Sequence, residues 1–148
     1  GVSGTRYRGA MASKEAAGTP ADKRLSPSSP WSESYAPGAS CPVATAWTAV
    51  PNLNFGTFAR YRFPPRFTIR SLVYADGAGT TDFLLRIAQA YDTARVPLAQ
   101  FATIGAAGFY ANAGARAGFS VISPVLLEYK CAIGTGTVYG VSIEITGG

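Results

Sequence analysis

Because histidine is absent, the side chains best suited to metal binding or to acid–base chemistry near neutral pH are eight carboxylates and two thiols. Without an imidazole there is no Ser-His-Asp triad and no histidine ligand for a metal. Two cysteines, Cys41 and Cys131, are too few for a four-cysteine zinc site or an all-cysteine iron–sulfur cluster within one chain. We expect both to be buried free thiols, with a disulfide between them as the alternative.

The carboxylates are spread along the chain instead of forming a motif. A glycosidase needs two carboxylates that face each other across a cleft, and a Ca²⁺ site needs several oxygens at close spacing. The nearest group is Asp76, Asp82 and Asp92, but the DGAGTTD stretch lacks the spacing of an EF-hand loop. We interpret these residues as turn and strand-end carboxylates, and we predict a non-enzymatic protein with no metal and no cofactor.

Basic and aromatic residues are interleaved in residues 60–70 (RYRFPPRFTIR), which hold four arginines and no acid. Aromatic rings stack on bases and arginines bind phosphates, so such a stretch is one way to contact nucleic acid. Arginine and aromatic residues are also enriched in protein interfaces. We favour the protein interface, and its candidate contacts are Arg60, Arg62, Arg66 and Arg70.

A glycine-rich stretch, residues 105–118 (GAAGFYANAGARAG), carries two aromatic residues near its centre. It lacks the Gly-Lys-Ser/Thr ending of a phosphate-binding loop. We predict a flexible crossover between two sheets. Phe109 and Tyr110 are its candidate contacts with a partner protein or a sugar.

The composition limits which elements can position these residues. Of the 148 residues, 47% are apolar and 14% are charged, whereas an ordinary soluble domain is about 25% charged. A charge-poor surface fits a protein that partners cover, and a G+C-rich coding sequence is the alternative explanation. No apolar run approaches the ~18 residues of a membrane span. No charged segment leads into an apolar one as in a signal peptide, so we expect no membrane partner.

The composition changes near residue 42. Residues 1–42 are rich in Gly, Ala, Ser and Pro and sustain no period of 2 or 3.6, so alone they would not offset their ordering entropy. We predict an extended arm that lies on a neighbouring subunit or partner protein, with wrapping of its own domain as the alternative. Five basic and three acidic residues give the arm only +2, which argues against nucleic acid as the partner. The candidate contacts of the arm are Arg6, Arg8, Trp31 and Tyr35.

Residues 43–148 consist of short apolar runs separated by turn residues. In the last run Tyr139 alternates in phase with Val141 and Ile143, which predicts a strand with these residues on one face. Residues 83–91 also fit a short helix, because Ala and Leu are helix formers. Short strands at regular spacing are typical of an antiparallel β-sandwich, here an eight-strand jelly roll. The predicted strands are 43–50, 57–63, 66–75, 82–91, 95–104, 117–123, 125–133 and 137–146.

A low-complexity arm followed by a compact eight-strand β domain resembles viral structural proteins. The layout is similar to the decoration (cement) and head-fibre proteins of tailed phages, and more distantly to the single-jelly-roll coat proteins of small RNA viruses. The resemblance implies a protein made in the host cytoplasm and placed on the capsid surface. Its implied partners are the major capsid protein and copies of itself, with a trimer favoured. The alternatives are a receptor- or glycan-binding head-fibre module and an RNA-virus coat protein.

Overall fold

The fold is known from a computed structural model. Every regular element among its described residues is a β-strand, and no helix there is long and apolar enough to cross a membrane. The described residues are 23–24, 31–53, 61–62, 65–91, 93–117 and 125–147. The strands are β1 (Lys23–Arg24), β2 (Trp31–Tyr35), β3 (Ala39–Ser40), β4 (Ala44–Ala49), β5 (Tyr61–Arg62), β6 (Arg66–Asp76), β7 (Leu84–Tyr91), β8 (Ala94–Gln100), β9 (Gly108–Ala117), β10 (Val125–Cys131) and β11 (Thr137–Gly147).

Two antiparallel sheets account for nearly all of these strands. The five-stranded sheet has the order β9-β6-β11-β2, and β3 pairs with the start of β11 beyond the end of β2. The four-stranded sheet has the order β4-β10-β7-β8. The short strands β1 and β5 pair in parallel with each other. The described residues thus form a jelly-roll-like antiparallel β-sandwich, which confirms the predicted all-β class.

Strand alternation supplies the core of the sandwich. Along β6 every second side chain is buried, from Phe67 and Ile69 to Val73, while the residues between them are exposed or half-buried. Leu85 of β7 and Leu127 of β10 lie in the same buried cluster, so the two sheets pack face to face. Burying each such side chain stabilises the fold by about 1.5–3 kcal/mol relative to leaving it exposed.

Most of the predicted strands are present with small changes at their ends. The helix alternative for residues 83–91 is wrong, because Leu84–Tyr91 form β7, which pairs antiparallel with β10 on one side and with β8 on the other. The strand predicted at 95–104 ends at Gln100. Of the strands predicted at 57–63 and 117–123, only Tyr61–Arg62 and Ala117 lie within the described residues.

The crossover predicted at residues 105–118 is wrong over most of its length. Gly108–Ala117 form the strand β9, whose 10 residues pair in unbroken antiparallel register with β6. Alanine and glycine fill much of this segment. Such small residues give a weak hydrophobic alternation and have low β-propensity, so the sequence pattern did not indicate a strand.

The sandwich begins before the boundary predicted at residue 42. Trp31–Tyr35 form β2 and pair with β11, and Ala39 and Cys41 are buried in the core. This end of the predicted arm therefore wraps its own domain, which was the alternative interpretation. Residues 1–22 and 25–30 lie outside the described residues, so the strap remains a prediction there.

Candidate binding surface

Four large apolar or aromatic side chains lie exposed together on the outer face of the five-stranded sheet. Their exposed fractions are 43% for Leu72, 40% for Tyr74, 72% for Phe109 and 46% for Tyr139. The ring centroid of Tyr74 lies 4.8 Å from that of Phe109 and 5.7 Å from that of Tyr139, with tilted planes. We call these four residues the aromatic patch.

The register of three neighbouring strands brings the aromatic patch together. Phe109 of β9 lies directly opposite Tyr74 of β6. On the other side of β6, Val138 of β11 lies opposite Ala75 and Gly140 lies opposite Tyr74, so Tyr139 is the extra residue of a β-bulge. A bulge turns its extra side chain to a new direction, here the outer face beside Tyr74.

The same bulge corrects the prediction for Tyr139. The sequence places it on one face with Val141, but Val138 and Val141 are both buried while Tyr139 is exposed. An extra residue shifts the alternation by one position, and a bulge leaves no mark in the hydrophobic pattern of a single strand.

Polar and charged side chains border the aromatic patch along the same sheet face. Arg70 of β6 pairs with Glu144 of β11 at 3.1 Å, and both side chains are exposed. Exposed apolar groups with a polar rim mark interaction sites on soluble proteins. Rings of this kind cover either an apolar protein surface or the face of a sugar, and the tyrosine hydroxyls supply hydrogen bonds at the edge.

The two aromatic residues predicted as one contact lie on opposite faces of β9. Phe109 belongs to the aromatic patch, but Tyr110 is half-buried and packs against the core. The Tyr110 hydroxyl donates a hydrogen bond to the carbonyl of Ala106 at 2.5 Å. Successive side chains of a strand point to opposite faces, so this split follows once residues 108–117 form a strand.

The four arginines predicted as one contact stretch have different positions. Arg66 and Arg70 are exposed on β6, where Arg70 pairs with Glu144. Arg62 lies in β5, which pairs with β1, and its side chain is outside the described residues. Arg60 lies wholly outside them. Their shared role in an interface remains a prediction.

The predicted contacts of the arm include two residues that face the sandwich itself. Trp31 is buried with 5% of its surface exposed, and its Nε1 donates to Oε2 of Glu33 at 3.1 Å. The Tyr35 hydroxyl donates to Oε1 of the same carboxylate. Burial, followed by the hydrogen bond and the charge of Glu33, raises the pKa of Tyr35 well above its usual range. Arg6 and Arg8 lie outside the described residues.

A charged cluster on the outer face of the four-stranded sheet was not predicted. Glu128 is buried and pairs with Arg86 at 2.8 Å and with Arg95 at 3.5 Å. The ring of Trp47 lies 4.3 Å from the Arg86 guanidinium and 4.8 Å from the Lys130 ammonium. The register brings the cluster together, because Glu128 of β10 lies directly opposite Arg86 of β7, and the sequence carries no signal for that register. Glu128 offsets part of the positive charge of Arg86 and Arg95, and the Trp47 ring covers the Arg86 guanidinium.

Cys131 is the last residue of β10, and Cys41 and Asp82 lie in connections between strands. Cys41 and Cys131 are free and buried, and burial, then Cys131 and Asp82, raises the pKa of Cys41 to about 11. Asp82 accepts hydrogen bonds from the backbone amides of Ala132 and Ile133 at 3.0 and 3.1 Å, and these lower its pKa. Among the described residues no three Cys, Asp or Glu side chains lie close enough to hold a metal ion.

Comparisons with known proteins find likeness only in three-dimensional structure. No protein-family model and no curated protein sequence matches the chain. The chain is similar to Eiger TNF from S. frugiperda, with 11% identity and a TM-score of 0.38 over 55% of this chain and 57% of that one. It is similar to the PRD1 vertex protein P5, with 11% identity and a TM-score of 0.42 over 80% of this chain and 95% of that one.

A third similar structure is that of infectious bursal disease virus, Gx strain. The identity is 9% and the TM-score 0.43, over 80% of this chain and 33% of that one. The chain thus spans less than two thirds of the length of this protein and of Eiger TNF. With TM-scores below 0.5, these likenesses carry no argument about function.

Proposed function

We propose that the chain is a non-enzymatic capsid decoration protein that docks on neighbouring virion proteins through the aromatic patch. The observation that carries this proposal is the exposure of four large side chains, Leu72, Tyr74, Phe109 and Tyr139, on one sheet face. The cores of protein interfaces are rich in aromatic residues and poor in charge, as this patch is.

The two outer faces of the sandwich differ in a way that supports docking on one of them. On the four-stranded sheet, Trp47 lies across the charged cluster and is only half-buried itself. On the five-stranded sheet, Tyr74 has its two ring neighbours beside it, and all three rings keep at least 40% of their surface exposed. The outer face of the five-stranded sheet therefore offers apolar area that a partner can cover.

The layout of the chain supports a virion role. A sandwich of two sheets is a rigid support for a flat docking surface, and the resemblance to decoration proteins rests on such a domain preceded by an arm. Only 14% of the residues are charged, which fits a protein that works packed against others. In this proposal residues 1–22 strap onto a neighbouring subunit and the aromatic patch docks.

Cosedimentation with decoration-free capsids of the virus that encodes the chain tests the docking role. We expect Phe109→Ala to weaken binding about 30-fold, since truncating an interface aromatic costs about 2 kcal/mol. Phe109 is 72% exposed, so the variant should fold normally. The matched control is Ile133→Ala, an apolar side chain 61% exposed in the turn between β10 and β11, which should bind like the wild type. Equal binding by the two variants would refute docking through the aromatic patch.

A glycan-binding head-fibre module is the second candidate, because exposed aromatic rings with hydroxyl groups also stack on sugars. Phe109→Ala and a further variant, Tyr139→Ala, distinguish the two roles on a glycan array. Binding of the wild-type chain to a defined glycan, lost in both variants, together with no binding to capsids, would replace the decoration role.

A further inference from the structure

One edge of the five-stranded sheet is open along a whole strand. β9 has 10 residues, and β6 is its only strand partner among the described residues. On its other side, the main-chain N–H and C=O groups of β9 make no main-chain hydrogen bond to any described residue. An edge of this kind is a template for pairing with another strand.

The other edges of the sandwich carry features that block such pairing. β8 contains Pro97 and a bulge at Leu98, and its carbonyls at Leu98 and Gln100 accept hydrogen bonds from Arg116 and Asn112 of β9. β4 has only 6 residues and an irregular register against β10. β2 and β3 are short and are separated by a segment that contains Pro37. Proline, bulges and short strands are the usual protection of sheet edges.

β9 lacks most of these protective features. It contains no proline, and its register against β6 has no irregularity. Its one protective feature is the inward-turned charge of Arg116, whose Nε donates to the Leu98 carbonyl, whose Nη2 donates to Oδ1 of Asn112 at 2.6 Å and whose Nη1 donates to the Ala115 carbonyl at 2.9 Å. Its outer-face side chains beyond Phe109 are all alanines, so no solvent-facing charge on β9 itself repels an incoming strand.

We propose that β9 is a self-association edge, and that it pairs antiparallel with β9 of a second copy of this chain about a twofold axis at Ala113. Pairing of two identical edges is isologous and closes as a dimer. The two sheets would join into one continuous sheet. The inference rests on the edge and its side chains, and it does not depend on the proposed capsid role.

Side-chain size selects this register. Residues directly opposite in an antiparallel pair share a face, so an axis at Ala113 places Phe109 opposite Ala117 of the second copy. On the inner face it places Asn112 opposite Gly114. An axis at Asn112 would instead bring two Asn112 side chains face to face, although each is already bound to its own Gln100 carbonyl. The Ala113 axis places Phe109 and Asn112 opposite small residues, while Tyr110 lies opposite Arg116 of the second copy.

The geometry also sets the strength of the dimer. A strand of this length spans ~33 Å, and one strand pair buries less than the roughly 1,200 Å² of a standard stable interface. Each copy carries a net charge of +5, so the copies repel one another at low salt. We therefore expect a reversible dimer whose population rises with protein concentration and whose affinity rises with salt.

Because a twofold axis perpendicular to the sheet keeps both outer faces on one side, the dimer presents two aromatic patches together.

Sedimentation velocity and oxidative crosslinking of the purified chain test the proposal without any capsid. The expected result is a monomer–dimer equilibrium, and a covalent dimer when Ala113→Cys is oxidised with copper–phenanthroline. Residues facing each other across the axis have Cα atoms about 5 Å apart, within the range of a disulfide. Ala111→Cys is the matched control. In this register position 111 lies opposite Ala115 of the second copy, so the two cysteines at position 111 are about four residues apart along the strands. It should crosslink at least tenfold more slowly.

A second variant tests the proposal if the cysteine variant does not fold. Ala113→Lys adds an exposed charge at the axis and should raise the dissociation constant at least tenfold, while Ser142→Lys, exposed on β11 of the same sheet, should not. Circular dichroism checks that both variants fold. A wild-type chain that stays monomeric at high salt and concentration, a trimer, or equal crosslinking at positions 111 and 113 would overturn the proposal. Loss of capsid binding alone would leave it standing.

Discussion

Two carboxylates show how burial changes the contribution of a carboxylate–arginine pair to stability. Glu128 is buried between Arg86 and Arg95, whereas Glu144 pairs with Arg70 in water. Exposed ion pairs contribute about 0–1 kcal/mol, because solvent screens them. Removing one partner of a buried pair costs far more, because it leaves a charge without compensation.

Replacing each of these carboxylates by alanine tests the difference. We expect Glu128→Ala to lower the free energy of unfolding by about 3 kcal/mol, because the Arg86 side chain is only 15% exposed and loses its partner. Glu144→Ala should lower it by less than about 1 kcal/mol. Urea denaturation of both variants measures this, and similar losses would show that the charged cluster does not stabilise the sheet.

The Cys41 thiol gives the fold a dependence on alkaline pH. Its pKa is raised from 9.0 to about 11, mainly by burial, so the folded chain holds this proton more tightly than the unfolded chain. The stability from this thiol is therefore complete below pH 9 and is lost as the pH rises through 11. We expect the free energy of unfolding to fall over this interval.

Urea denaturation of the wild type and of Cys41→Ala between pH 7 and 11 isolates this effect. Other alkaline groups, including Tyr129 with its raised pKa, remain in both proteins. The variant should lose less stability than the wild type between pH 9 and 11. Parallel pH profiles for the two proteins would contradict the assignment to Cys41.

At the level of the strands, hydrophobic alternation was the informative signal, and it worked where side chains are large. Residues of β6, such as Phe67, Ile69 and Val73, alternate clearly, so this strand was predicted at 66–75, close to its observed bounds. β9 was missed because its outer face beyond Phe109 is alanine. Alanine and glycine also have low β-propensity, so propensity did not indicate a strand either. Pairing with β6 is what stabilises this segment as a strand.

The binding surface was predictable in part. Phe109 was named from its exposure in a glycine-rich stretch, but Tyr74 and Tyr139 were not, since they approach it only through strand order and register. The bulge at Tyr139 is set by its pairing with β6. A single sequence contains neither strand order nor register, so a site built across three strands cannot be read from it.

For the molecule as a whole, the border between arm and sandwich decides how the arm must be tested. Trp31 is buried in the core and β2 pairs with β11, so these residues belong to the folded unit. Residues 31–35 are therefore not available as a strap onto another subunit. Any truncation that removes β2 changes folding and binding together.

Removing residues 1–22 should therefore leave the urea midpoint unchanged and reduce cosedimentation with decoration-free capsids. Removing residues 1–35 should abolish cooperative unfolding, because it deletes Trp31, whose loss alone costs about 3–5 kcal/mol, and exposes an edge of β11. Full capsid binding by the shorter truncation would refute the strap. A stable fold after the longer truncation would contradict the role of β2.

The position of β11 has a consequence for how the chain folds during synthesis. β11 follows every other described strand in the sequence, yet it lies inside its sheet and pairs with β6, β2 and β3. During synthesis the early strands β2 and β3 leave the ribosome first and remain unpaired until β11 has been made. Pairing between distant segments is slow, because loop closure must come first. The five-stranded sheet therefore cannot form until Thr137–Gly147 has left the exit tunnel, and until then the nascent chain depends on protection from aggregation.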